Sequence, residues 1–254
     1  MDGPRITVAF HPDWPFRGGL VLDALARDGV YLSQFATGSS NGGLTAHPGG
    51  DRWRWECRLF GGRYDTAASD ARPVYGALDD RRDPYGASPR FGSAYLRLRP
   101  EVTGRTSFCF PDSVFEPDAV AGPERITDLV AMRDAAGHDA LDDYVEAHVH
   151  GGLRLGMDVE ALVLDPCFRG TAVSEAAERA GCPVEWHPGY SVLTAGLDDA
   201  YRGPEHVALA RSLGEALTPD IIGSAARAGE HDPQALKKVW HLLARFGRRQ
   251  DPDG

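Results

Sequence analysis

Lysine is nearly missing from this chain of 254 residues: Lys237 and Lys238 are the only two, so almost all of its 27 basic side chains are arginine. The bias fits a GC-rich bacterial coding sequence. Cysteine is scarce as well. Cys57, Cys109, Cys167 and Cys182 fall singly, with no C-x-x-C pair and no zinc-knuckle spacing, which predicts free, mostly buried thiols. No run of about 18 apolar residues exists to cross a membrane, and Met1-Asp2-Gly3-Pro4-Arg5 lacks the basic-then-apolar order of a signal peptide. A soluble, cytoplasmic protein with no membrane partner is expected. Also missing are a G-x-G-x-x-G after a strand, a phosphate-loop lysine and any internal repeat, which removes the standard nucleotide fingerprints and the solenoid folds.

Hydrophobic residues make up 42% of the chain, enough for one sizeable domain with a small appendage. A net charge of -10 argues against non-specific coating of nucleic acid. The charge is uneven, +2 over residues 1–110 and -12 over 111–254, so an anionic ligand would meet the first half.

The β-rich run "ITVAF" stops at His11-Pro12, where proline ends ladder pairing. "GLVLDALARDG" has helical spacing and Gly29 as a C-cap. "VYLSQFATG" reads as a second strand, with Tyr31, Ser33 and Phe35 on one face. A Gly/Ser/Asn loop follows from Thr37 to about Gly50, long enough to bind or to move. "RWRWECRLFGGRY" reads as a helix that buries Trp53 and Trp55 and shows arginines; a base-stacking surface is the lesser alternative. "PVYGAL", "SAYLRLRP" and "TSFCF" are further strands, a helix lies around Glu124 to Asp134, and "DVEALVLD" pairs with the strand before it. "AVSEAAERAG" is helical, "PVEWHPGY" is a last strand, and three helices run from Pro204 to Phe246. The expected organisation is an α+β domain over 1–200 with a helical extension over 201–254 packed on it.

In "YVEAHVHG" the apolar Val145, Ala147 and Val149 alternate with Glu146, His148 and His150. Three readings compete. A half-exposed strand shows this alternation without any function. A metal-dependent hydrolase could use Glu146, His148 and His150 with His11 as a further ligand. Glu146 could also be a lone catalytic carboxylate aimed at developing positive charge. From a different class comes a binding or antitoxin-like module in which the tail from Pro204 is the interaction surface, although Leu209, Leu213, Leu217, Val239, Leu242 and Leu243 read more readily as core. His187 in "EWHPGY" reads as a satisfied structural residue.

The blocks "ITVAFHPD", "DGVYLSQFATGSSNGGLTA", "RLFGG", "YGAL", "FGSAYLRLRP" and "VEAHVHG" resemble those of an uncharacterised bacterial family, from about Ile6 to Asp165. Further out, the arrangement resembles the ADP-ribosyltransferase superfamily, whose members use NAD. That resemblance implies a split β-sandwich core, a first strand ending in a residue that holds NAD, here His11, and a strand that begins with the catalytic glutamate, here Glu146. It implies NAD as co-substrate and an unidentified acceptor, a nucleic acid base, a protein or a small molecule. His148 would orient the acceptor or serve as base. Tyr31, Ser33, Phe35 and the loop Gly38 to Gly43, with Asn41 and Gly42, would contact the dinucleotide, and His150 would support the site. Tyr31, Tyr75 and Ser93-Ala94-Tyr95 compete for the middle motif that packs on nicotinamide. Tyr144 stands where many protein-modifying relatives carry a glutamate or glutamine, which speaks against arginine as acceptor.

Overall fold

Alternation in "ITVAF" turns Ile6, Val8 and Phe10 to one side of a strand, and all three are buried. In the computed structural model, which describes residues 4–38, 45–117 and 119–249, this strand is β1 (Ile6–Phe10). A ribbon of β2 (Pro15–Phe16) and β3 (Gly19–Leu20) leads into α1 (Val21–Asp28), which ends at Gly29 with φ 64°, a left-handed turn that favours glycine. Then come β4 (Val30–Tyr31), α2 (Gln34–Thr37), α3 (Asp51–Leu59), β5 (Val74–Leu78), β6 (Ala94–Leu98) and β7 (Thr106–Cys109). The chain continues through α4 (Ile126–Ala136), β8 (Glu146–Val149), β9 (Leu153–Arg154), α5 (Leu155–Asp158), β10 (Val159–Leu164), α6 (Ala172–Glu178) and β11 (Val184–Trp186). It closes with β12 (Val192–Leu193), α7 (Pro204–Leu213), β13 (Ala216–Leu217), α8 (Pro219–Ala228) and α9 (Pro233–Phe246).

Seven strands hydrogen-bond in one sheet of order β11-β10-β6-β1-β5-β8-β7, antiparallel except at β10–β11. The protein is thus α+β with a large mixed sheet; where two facing sheets were expected, the long strands form a single layer. One face carries the main core, in which Val8, Ala147 and Leu162 meet Leu22 of α1, Leu129 of α4 and Val173 of α6. A second apolar cluster gathers Val207, Ile222, Val239 and Trp240 of the last three helices around Tyr85, Leu141, Tyr190 and Leu197. Leu217, Val239, Leu242 and Leu243 are buried there, Leu209 and Leu213 partly so. No described helix is long and apolar enough to cross a membrane.

Two expected strands are corrected. "VYLSQFATG" extends only over β4, because the Ser33 side chain accepts from the Ala36 N–H and starts a helix, so Tyr31, Ser33 and Phe35 share no strand face. β10 does not pair with β8: β5, β1 and β6 lie between them. Gly151 and Gly152 take φ 81° and 76°, and this left-handed pair sends the chain out of the sheet into β9 and α5 instead of a tight hairpin.

Candidate functional site: a buried glutamate beneath helix α3

Glu146 opens β8 with Ala77 of β5 as its neighbour on one side and Cys109 of β7 on the other; Thr7 of β1 extends that row. Cross-strand partners share a face, so Tyr75, His148 and Ser107 make the next row on the side away from the main core. A strand with an open polar face would leave these groups in water. Here Glu146 is 5% exposed and His148 0%, which overturns the surface-strand reading.

Helix α3 supplies the cover. Trp55 and Leu59, one turn apart, are buried, and the Trp55 ring sits 5.7 Å from the His148 ring. Phe60 stands edge-on to both imidazoles, 5.3 Å from His148 and 5.5 Å from His150. Arg52 lies over the Tyr75 ring at 4.6 Å and donates to the Ser113 hydroxyl. The Ser113 hydroxyl in turn donates to Glu146 Oε2 at 3.1 Å.

The histidines are linked in series. His148 Nε2 meets Glu146 Oε1 at 2.9 Å, and Ser107 Oγ lies 3.4 Å from His148 Nδ1 and 2.8 Å from His150 Nε2. The Tyr64 hydroxyl meets His150 Nδ1 at 2.6 Å. One set of tautomers satisfies every link: Tyr64 O–H to His150, His150 N–H to Ser107, Ser107 O–H to His148 and His148 N–H to Glu146. Burial alone would raise the Glu146 pKa, but the His148 hydrogen bond, then the Arg52 charge and the Ser113 hydrogen bond, outweigh it and hold the carboxyl below its ordinary value. Burial, aided by the Glu146 charge, pushes the Cys109 thiol well up.

A buried ion pair braces the cover. Arg72 donates to Glu56 Oε2 at 2.7 Å and to the Tyr64 carbonyl, while the Tyr75 hydroxyl donates to Glu56 Oε1 at 2.7 Å. Burial raises the Glu56 pKa against the pull of Tyr75 and Arg72.

The remaining expected residues scatter. His11 stacks on Trp14 at 4.4 Å and meets the edge of Trp240 at 5.0 Å, among the C-terminal helices and away from the Glu146 network. Ser33 hydrogen-bonds the Ser69 carbonyl, Phe35 lies 3.8 Å beneath the Arg72 guanidinium, and Tyr31 packs edge-on against Phe10. Gly38 caps α2, and Asn41 and Gly42 fall outside the described residues. Ser93 is buried and its carbonyl meets His187 Nε2 at 2.9 Å, which gives that histidine the structural role expected of it. Among competitors for the middle motif, Tyr75 alone touches the Glu146 neighbourhood, ring to ring with His148. The four-residue metal set of His11, Glu146, His148 and His150 is not assembled: His11 belongs to another cluster, and the described group within ligand distance takes in Glu146 and His148 without His150. Cys109, read from the sequence only as a free, buried thiol, comes within ligand distance of Glu146 and His148. Its signal was available: in "TSFCF" Ser107 and Cys109 alternate with Phe108.

The model of the family described as "Protein of unknown function (DUF3626)" matches residues 5–131 and 121–246. The chain belongs to the DUF3626 family. The matched residues include β1, β5, β8 and the C-terminal helices. This DUF3626 chain is 31% identical to the "Gene 2 protein" of Mycobacterium phage D29, over 56% of the chain and 60% of that protein. It thus spans about three-fifths of the length of that curated relative.

Proposed function

We propose that this DUF3626 chain is an NAD-dependent mono-ADP-ribosyltransferase in which Glu146 is the catalytic carboxylate. The observation that supports it is the adjacency of β1, β5 and β8: the strand running to His11, the strand of Tyr75 and the strand opened by Glu146 are consecutive in the sheet. In this proposal Glu146 accepts a hydroxyl of the nicotinamide ribose and stabilises the cation that forms as the glycosidic bond breaks. A carboxyl already held in its charged form by His148, Arg52 and Ser113 suits that task. Tyr75 is the candidate for packing on nicotinamide and His148 for positioning Glu146. His11 keeps the adenosine-side role only if Trp14 and Trp240 give way, since both rings now press on it.

Glu146 is covered by Trp55 and Phe60 through His148, so NAD entry requires α3 to move. The acceptor is a nucleic acid base, a protein side chain or a small molecule. The test is NAD binding and nicotinamide release, wild type beside Glu146→Gln. Release by wild type, with binding but at least about a hundredfold slower release in the variant, supports the proposal. Absence of NAD binding in both, or full release by the variant, overturns it.

A further inference from the structure

Beyond that reaction, and without resting on it, we propose that Cys109, Glu146 and His148 form a binding site for a thiophilic divalent metal ion of the zinc class. Cys109 Sγ lies 3.8 Å from His148 Nε2 and 3.9 Å from Glu146 Oε1, and those two atoms are 2.9 Å apart. The circle through the three atoms has a radius of about 2.1 Å, which is the length of a Zn–N or Zn–O bond and slightly short of the Zn–S bond of about 2.3 Å. An ion therefore fits between them with only a small outward shift of the sulfur.

The register creates the triangle. Cys109 and Glu146 are direct partners across β7 and β8, and His148 stands two residues along on the same face. All three residues are at least nine-tenths buried, so the ligands are preorganised. Each nitrogen or oxygen ligand also has an outer partner, as metal ligands usually do: Ser107 at His148 Nδ1 and Ser113 at Glu146 Oε2. Freeing His148 Nε2 for an ion requires only that the hydrogen-bond series run in the opposite sense, from His148 Nδ1–H through Ser107 to His150 and Tyr64.

Ligand chemistry selects the ion. A thiolate with an imidazole disfavours Mg²⁺ and Ca²⁺, which take oxygen. Binding exchanges the thiol proton for the metal and releases that proton to solvent. A dication taken up in exchange for one proton adds a single positive charge, so that thiolate, carboxylate and ion together are neutral. An ion here would take the carboxylate that the proposed transferase reaction needs, so metal occupancy and NAD turnover should exclude each other.

The test uses the full chain, stripped with chelator and titrated with Co²⁺, without NAD. The expected result is one equivalent bound, with a near-ultraviolet thiolate-to-cobalt band that Zn²⁺ displaces. Cys109→Ser should lose the band and bind at least about tenfold more weakly. Should that variant misfold, the variant with Cys57, Cys167 and Cys182 all changed to serine retains Cys109 and must keep the band. Absence of a band in wild type, a band unchanged in Cys109→Ser, or its loss in the triple variant overturns the proposal. None of these outcomes depends on NAD chemistry, which the Glu146→Gln assay decides separately.

Discussion

Two histidine neighbourhoods differ in how their imidazoles are satisfied. His148 and His150 have hydrogen-bonding partners at every ring nitrogen and end on a carboxylate. His11 and His241 lie among the C-terminal helices: His11 stacks on Trp14 and meets Trp240 edge-on, and His241 Nδ1 has no hydrogen-bond partner among the described residues. Burial and the Lys237 charge depress the His11 pKa to about 3. Burial, then Arg202 and Arg90, lower that of His241 further, to about 2. Partners that can exchange protons make the first neighbourhood suited to chemistry; tightly packed, uncharged rings make the second suited to holding helices together.

Replacement of buried groups should divide the two most strongly. Trp240→Ala removes a side chain that is 1% exposed, touches His11 and Tyr190 and donates to the Pro89 carbonyl, and should cost about 3–5 kcal/mol in denaturant unfolding. Arg72→Met, which strands Glu56 without its cation, should cost a similar 3–5 kcal/mol, or about that range. The distinction lies in rescue. Adding Glu56→Met to Arg72→Met removes the stranded charge and should recover more than half of the loss, although Tyr75 then lacks its acceptor. No second substitution refills the Trp240 space so simply. Equal lack of rescue would show that the polar cover beneath α3 is stabilised by packing alone.

Acid should act next on both regions and more on the second, since burial, then His148, Arg63 and Arg105, lower the His150 pKa to about 4, less far than those of His11 and His241. For His11 and His241 the folded pKa lies below the ordinary 6.5, so the unfolded chain binds more protons between about 6.5 and the depressed values. Stability must then fall as pH drops from 6.5. Asp13 opposes this: burial raises its pKa to about 6 despite Arg227, so its contribution is lost as pH rises through that value. Its shift is smaller than that of His11, so the net direction is loss on acidification. Unfolding at pH 7 and pH 5 should differ by on the order of 2 kcal/mol for each of the two histidines at most. His11→Gln should flatten the dependence; an unchanged slope would show that His11 titrates freely.

The same contrast decides what could be read in the sequence. α1 with its Gly29 cap, β1, β5, β6 and the three last helices follow local period and capping, which a linear pattern carries. Glu146 stood out because alternation put it in one row with two histidines. What alternation lacks is the identity of the neighbouring strand. Cys109 and Tyr75 join Glu146 through pairings across tens of residues, and the same alternation serves a solvated strand or a buried one. Burial of the row came from α3, whose helical reading predicted a covered aromatic face without saying what it covered; of the two tryptophans named there, Trp55 is the buried one. "VYLSQFATG" was misleading because its β-rich composition hid the capping role of Ser33.

The smallest effect concerns Ser107, the shared link between the histidines. Ser107→Ala removes one hydroxyl and leaves His148 Nδ1 and His150 Nε2 without that partner, at a cost of about 1–3 kcal/mol. If the series acts as a unit, Tyr64→Phe at its far end should add less in the Ser107→Ala background than in wild type, because the link it terminates is already cut. A double-mutant cycle on unfolding free energy reads this directly. A coupling above about 0.5 kcal/mol joins Tyr64, His150, Ser107 and His148 into one network leading to Glu146, whereas additive costs reduce it to separate contacts and leave the first neighbourhood no more connected than the second.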